Sequence, residues 1–172
     1  MTQAEPEFVT ALLGPEHDIA GFDSGEPETD DWLRANGLRT QRQGSARTRV
    51  LMRGADPTVL GFYAIAPHET HRDDLPSAAA GGLSVVPGYL IAQLAVDRSM
   101  QGQGMGAELL LDALETVVAA ANAAGGRLVV VDAVHERALG FYERYGFIRI
   151  GQTLRLYLKV SRIARSLAAA GR

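Results

Sequence analysis

The chain is 172 residues long, 47% hydrophobic and 22% charged, with a net charge of −3 and no cysteine. That length is most simply one domain with a real core, and the missing cysteines exclude disulfides, thiol nucleophiles and Cys-based metal sites. No apolar run approaches the roughly 20 residues that span a bilayer, and the acidic N-terminus lacks the pattern of a signal peptide, so a cytoplasmic, membrane-free protein is expected.

In chain order, residues 1–20 read as a lead-in with a short strand, anchored by Phe8, Val9, Leu12 and Leu13. Residues 22–31 form a turn that feeds a helix, with Thr29 or Asp30 as the expected N-cap. Trp32, Leu33 and Leu38 give that helix an apolar side, and Asn36-Gly37 predicts a break before a second short helix over 39–43. Residues 47–52 alternate as a strand with Thr48, Val50 and Met52 on one face, and 59–66 make the return arm of a hairpin. The three-proline segment 67–87 is polar and then Ala/Gly-rich, which predicts a long functional or mobile loop. His68 and His71 fall in this stretch as solvated loop residues, and none of the four histidines shows a metal-binding spacing.

The apolar run 90–96 reads as a central strand. Gly102, Gly104 and Gly106 follow it, and then a helix with Leu110, Leu114, Val117, Val118 and Ala121 at helical spacing. Alternate glycines leave backbone N–H groups uncovered, and a helix start adds unpaired donors and a positive dipole end. The combination predicts a concave anion site. A dinucleotide fingerprint or a P-loop would need other spacings and, for the latter, a Lys; neither is present. Residues 127–133 form a second β-branched strand, so strand–helix–strand implies a parallel pair. A short helix over 135–145 closed by Gly146, strands over 147–150 and 154–160, and a short basic tail over 161–172 compatible with a helix complete the chain.

The charge is uneven. Sixteen of the 17 basic residues are Arg, and between Asp31 and Arg53 six Arg face one acidic residue. A solvated helical face accounts for this as well as a phosphate-binding rim does.

Gln101-x-x-Gly104-x-Gly106, after Leu94-Ala95-Val96-Asp97, resembles the acetyl-CoA motif of the GNAT N-acetyltransferases. Ala138-x-x-Phe141-Tyr142-x-x-x-Gly146-Phe147, about 35 residues on, resembles the motif that closes those enzymes. The resemblance implies a single-domain α/β GNAT fold over residues 1–160: a mixed central sheet with a splayed parallel pair, flanked by helices. It implies acetyl-CoA as co-substrate, with no metal. Leu94, Ala95 and Val96 would offer backbone groups to the pantetheine arm, and a strand N–H would meet the oxyanion. Gln101, Gly102, Gln103, Gly104, Met105, Gly106 and Ala107 would hold the pyrophosphate, with Phe141 alongside the cofactor. Tyr142 matches the family tyrosine that protonates the departing thiolate, whereas Tyr145 fits plain packing. Asp97 is a possible base but more simply caps the turn, and a neutral α-amine needs little help.

Further resemblance is to the GNAT toxins of bacterial toxin–antitoxin modules. It is carried over about residues 20–160 by Phe22-x-Ser24-Gly25, Asp31-Trp32-Leu33, Arg47-Thr48, Gly61-Phe62-Tyr63 and Gly140-Phe141-Tyr142. It implies acetylation of the α-amine of aminoacyl-tRNA, a DNA-binding antitoxin as partner, and a homodimer. Arg34, Arg39, Arg42, Arg47 and Arg49 then become the candidate tRNA-binding rim. Gln93 departs from the Arg common in the family, which leaves amino-acid choice and tRNA affinity open. Two other readings stand beside this one: a GNAT acting on a small-molecule or protein amine, and a non-catalytic module that binds acyl-CoA or a partner.

Overall fold

The computed structural model describes residues 7–172. Residues 1–6 of the expected lead-in lie outside them. The elements are β1 (Phe8–Leu12), α1 (Pro27–Gln43), β2 (Arg47–Arg53), β3 (Gly61–His71), α2 (Ser77–Ala80), β4 (Val85–Val96), α3 (Met105–Ala124), β5 (Leu128–Asp132), α4 (Glu136–Arg144), β6 (Ile148–Arg149), β7 (Arg155–Lys159) and α5 (Val160–Ala169). The strands form one seven-stranded sheet in the order β1-β2-β3-β4-β5-β7-β6. One pair, β4 with β5, is parallel, as the sequence predicts. Its pairing runs only from Gly88 opposite Leu128 to Ile91 opposite Val131, although β4 continues to Val96. β4 therefore outruns its pairing with β5, which ends at Asp132.

The described residues pack as two compact units, 7–65 with 93–113 and 66–92 with 114–172. In the first, β1, β2 and β3 pair antiparallel, with Phe8 opposite Arg53 and Arg47 opposite Ile65. Leu13, Phe22, Leu33, Val50, Met52, Val59 and Phe62 form its core. Phe62 is fully buried, with Trp32 stacked at 6.3 Å and Phe22 edge-on at 5.4 Å. Gln41 ties the end of α1 to the strands, donating to the Leu13 carbonyl and accepting from the Thr48 amide.

Two expectations about α1 are corrected. The N-cap is Glu26, with Pro27 at the first helical position, not Thr29 or Asp30. Proline suits that position because its missing N–H would be unpaired there anyway. Asp30 lies inside the helix, buried, and its carboxylate accepts the amide and hydroxyl of Ser24, the latter at 2.6 Å. The helix also runs unbroken through Asn36-Gly37. A Cβ at Gly37 would come within 2.8 Å of Leu13 Cδ2, so glycine serves close packing against Leu13 here and does not end the helix.

In the second unit, β5 pairs with β4 and β7, and Leu128, Val129, Val130 and Val131 are all buried. The predicted loop 67–87 is mostly ordered. β3 continues to His71, a 3-10 turn spans Arg72–Asp74, and α2 precedes β4. Leu75, Ala79, Ala80 and Val86 are buried with Leu128, Val130 and Tyr157. The end of β3 was hidden because Pro67 and Glu69 are exposed polar-strand positions that alternate with buried Thr70. The C-terminal segment is helix α5, which buries Val160, Ile163 and Leu167.

Candidate active site

The glycine turn lies in the first unit. Asp97 follows β4 and caps a short 3-10 turn over Arg98–Met100, accepting Ser99 N. Gly102 and Gly104 then take φ of +78° and +80°, a region that L side chains enter only at a cost. A Cβ at either would meet nothing within 4 Å, so the space above the turn is open. The first helical bond of α3 runs from Glu108 N to the Gly104 carbonyl. The amides of Met105, Gly106 and Ala107 are therefore the unpaired donors of the first turn. Open backbone donors at a positive helix end are chemistry that a pyrophosphate fits.

Gln101 has a different place from the one its motif suggests. Its side-chain amide donates to the Ser24 carbonyl at 2.8 Å and to the Val96 carbonyl at 2.9 Å. It braces the turn from beneath. Asp97 completes the brace: one oxygen accepts Asp23 N at 3.0 Å, the other Ser99 N and Oγ. Arg98 reaches Asp23 at 3.2 Å. Partial burial works against the Asp97 charge, but the bonds from Asp23 and Ser99 and the nearby Arg98 outweigh it, so its pKa falls below the usual carboxylate range. Its bonds to Ser99 make it the cap of the turn, in line with the simpler sequence reading.

Tyr142 lies on α4 in the second unit. His135 caps this helix, accepting Ala138 N through its side chain, and Tyr145 ends it. The Tyr142 ring is 6% exposed, with Phe141 at 5.1 Å and Phe147 at 5.7 Å. Burial pushes its pKa up to about 12. Such a hydroxyl stays protonated across the physiological range, so it can donate a proton or hydrogen bond but cannot act as a base. Tyr145 is 40% exposed and meets the Phe141 ring edge-to-face at 5.4 Å, which is less than the full packing role expected of it.

Among the rim arginines, Arg34 donates to the Phe22 carbonyl and pairs with Asp31 at 3.2 Å. Arg49 pairs with Asp112 at 3.7 Å. Asp112 also accepts the hydroxyl of fully buried Tyr63 at 2.6 Å, so Arg49 is partly committed to the fold. Arg39 bonds Asn36, and Arg47 donates to the Gln41 carbonyl at 3.0 Å. Arg39, Arg42 and Arg47 are exposed. Gln93 is half-buried near the end of β4.

Sequence reasoning gave no role to His68, expecting a solvated loop residue. It stands on β3, where Arg155 Nη1 reaches its Nε2 at 3.5 Å, while Arg155 holds Asp132 at 2.7 Å through Nε and Nη2. Burial lowers the His68 pKa, Arg155 lowers it further, and Asp132 partly offsets both. The available signal was the alternation of Ala66, His68 and Thr70, inward positions of a strand with an exposed face. Among the described residues no three His, Cys, Asp or Glu side chains converge as metal ligands, and no helix is long and apolar enough to cross a membrane.

A seven-stranded mixed sheet with one parallel pair and an open glycine turn into a helix makes this an α/β protein with a built site for an anionic group. Residues 48–149 match the family described as the acetyltransferase (GNAT) domain, and the chain belongs to that family. It is 40% identical over 131 residues to a tRNA-acetylating toxin of Mycobacterium tuberculosis strain ATCC 25618 / H37Rv, an alignment that covers 76% of this chain and 78% of the relative. A structure of a Tyr-to-Phe mutant of KacT superposes with a TM-score of 0.88 at 27% identity, covering 94% of this chain and 99% of that one. AtaT complexed with acetyl-methionyl-tRNAfMet superposes with a TM-score of 0.84 at 29% identity, covering 93% and 99%. A mutant AtaT bound to the C-terminus of the antitoxin AtaR and acetyl-CoA gives 0.81 at 28%, covering 94% and 99%.

Proposed function

We propose that this chain transfers the acetyl group of acetyl-CoA to the α-amine of aminoacyl-tRNA, and that it is the translation-blocking toxin of a toxin–antitoxin pair. The observation that carries the acceptor is its likeness along three-quarters of the chain to a tRNA-acetylating toxin. The open glycine turn supports the co-substrate. A cytoplasmic homodimer silenced by a DNA-binding antitoxin is the accompanying expectation, since AtaT binds the C-terminus of the antitoxin AtaR.

In this reading the turn from Gly102 to Ala107 donates backbone N–H groups to the pyrophosphate, and Gln101 keeps the turn in shape through Ser24 and Val96. Leu94, Ala95 and Val96 offer the backbone groups that have no β5 partner to the pantetheine amides. Phe141 packs alongside the cofactor. A neutral α-amine attacks the thioester carbonyl carbon; the C–N bond forms, the C–S bond breaks, and the ammonium proton leaves to water. The sulfur leaves as thiolate hydrogen-bonded by the Tyr142 hydroxyl, and the proton given up by the ammonium balances its later protonation through water. The Tyr142 pKa of about 12 lies well above the roughly 8.5 of a thiol, so its main contribution is a hydrogen bond that strengthens as charge develops on sulfur. Arg39, Arg42 and Arg47 offer exposed charge to the tRNA backbone, with Arg34 and Arg49 contributing while they hold Asp31 and Asp112.

The test is transfer of labelled acetyl from acetyl-CoA to charged tRNA, deacylated tRNA and a lysine-bearing peptide in parallel. Label on charged tRNA alone is expected. Label on the peptide alone, or equal label on deacylated tRNA, would overturn the acceptor assignment.

A further inference from the structure

All 20 acidic side chains precede residue 144, while the 29 residues from there onward carry seven of the 17 basic ones. Three of these seven are neutralised within the second unit: Arg149 by Glu136 at 3.2 Å, Arg155 by Asp132 at 2.7 Å and Arg172 by Glu115 at 2.6 Å. Arg162 and Arg165 have no carboxylate partner among the described residues, and both are exposed. They stand three apart on α5, which makes them neighbours on one helix face. The opposite face buries Val160, Ile163 and Leu167, so packing fixes which side of the helix meets solvent. With Ser166 and Ala169 the two arginines frame an open depression of about 430 Å³. Near the start of α5, Lys159 and Arg127 line a second depression of about 330 Å³. Arg127 gives its Nε to the Ala79 carbonyl at 3.0 Å, a neutral partner that leaves its charge uncompensated.

Four cations on or beside one helix, with no anion among them, make a local positive field on a chain whose net charge is −3. A polyanion could approach such a chain only through a segregated patch of this kind. Guanidinium groups take phosphate oxygens in pairs. A second copy of the chain meeting this face about a two-fold axis would set like charges against each other. We propose that the exposed face of α5, with Arg162, Arg165, Lys159 and Arg127, is a docking surface for the phosphate backbone of the acceptor RNA. This rests on the aminoacyl-tRNA reading and adds a binding surface outside both the glycine turn and the arginine rim.

The test uses the full chain with Arg162→Glu and Arg165→Glu together, beside the milder Arg162→Gln/Arg165→Gln. Binding of fluorescent, uncharged total tRNA is followed by anisotropy over a salt series. The charge reversal should weaken tRNA binding at least ~10-fold and lower the slope of log K against log salt by about 2, one for each phosphate no longer neutralised. The neutral variant should show a similar fall in slope with a smaller loss of affinity, since it adds no repulsion. The KM for aminoacyl-tRNA should rise in step, with unchanged melting temperature, acetyl-CoA affinity and activity on an aminoacyl nucleoside lacking the tRNA body. Unaltered tRNA affinity, loss confined to duplex DNA, or a changed sedimentation mass would overturn the assignment. A wild type that binds tRNA through this face yet acetylates none of it would uphold the surface and defeat the acceptor reading instead.

Discussion

Gln101 and Ser24 are 77 residues apart in sequence and joined at 2.8 Å, the Gln101 side-chain amide donating to the Ser24 carbonyl. The same nitrogen reaches the Val96 carbonyl, so one side chain holds the end of β4, the turn before α1 and the start of the glycine turn together. Gln101→Ala should remove both bonds and cost about 1–2 kcal/mol in denaturant unfolding. Because the turn loses its brace, the KM for acetyl-CoA should rise about 10-fold, or about 1.4 kcal/mol. An unchanged KM with full loss of stability would show that the turn keeps its shape unaided.

Gly104→Ala separates strain from blockage. The added methyl meets no protein atom within 4 Å, but φ is +80°. Stability should fall by about 1–2 kcal/mol from backbone strain alone. Acetyl-CoA binding, measured by calorimetry, should weaken by a further ~10-fold or more, since the methyl stands in the open space above the donors.

Tyr142 has a pH signature. Its folded pKa of about 12 lies above the ordinary value of 10, so the protonated form is favoured in the fold. The associated stability is whole below pH 10 and is lost as pH rises from 10 towards 12, to a limit of about 2–3 kcal/mol. Thermal melts of wild type and Tyr142→Phe should therefore converge as the pH rises through that window. Catalysis should show no alkaline fall attributable to this tyrosine below about pH 10.

His68 supplies a contrasting titration. Its pKa is depressed, so its contribution is complete above the unfolded value near 6.5 and lost as the pH falls below it. Asp132→Asn removes the one influence that raises this pKa, and NMR titration of His68 should show it lower still. A rise would mean that Arg155 had moved away from the ring.

Much of the site was legible because its parts are local. Glycine at positive φ, a helix start and a preceding apolar strand announce themselves within 15 residues, as do the Ala138–Phe147 pattern and its buried Tyr142. What escaped depends on distant partners. Gly37 looks like a helix breaker until Leu13 is seen against it. The Asp30–Ser24 bonds reverse the expected direction of capping, and Pro27 sets the true start. The end of β3 carries exposed polar residues that imitate a loop. The helical character of the basic tail was legible, but the burial of Ile163 and Leu167 beneath it depends on partners that only the fold supplies.

The most direct measurement is single-turnover transfer of labelled acetyl from acetyl-CoA to total charged tRNA, wild type beside Tyr142→Phe. Loss of the hydroxyl should slow the chemical step by about 10²–10⁴-fold, the range for a positioned proton donor, with acetyl-CoA affinity unchanged. N-acetylated aminoacyl-tRNA formed by the wild type and nearly absent with the variant is the predicted result. Equal rates for the two proteins, or bound acetyl-CoA with no label on any charged tRNA, would contradict the account.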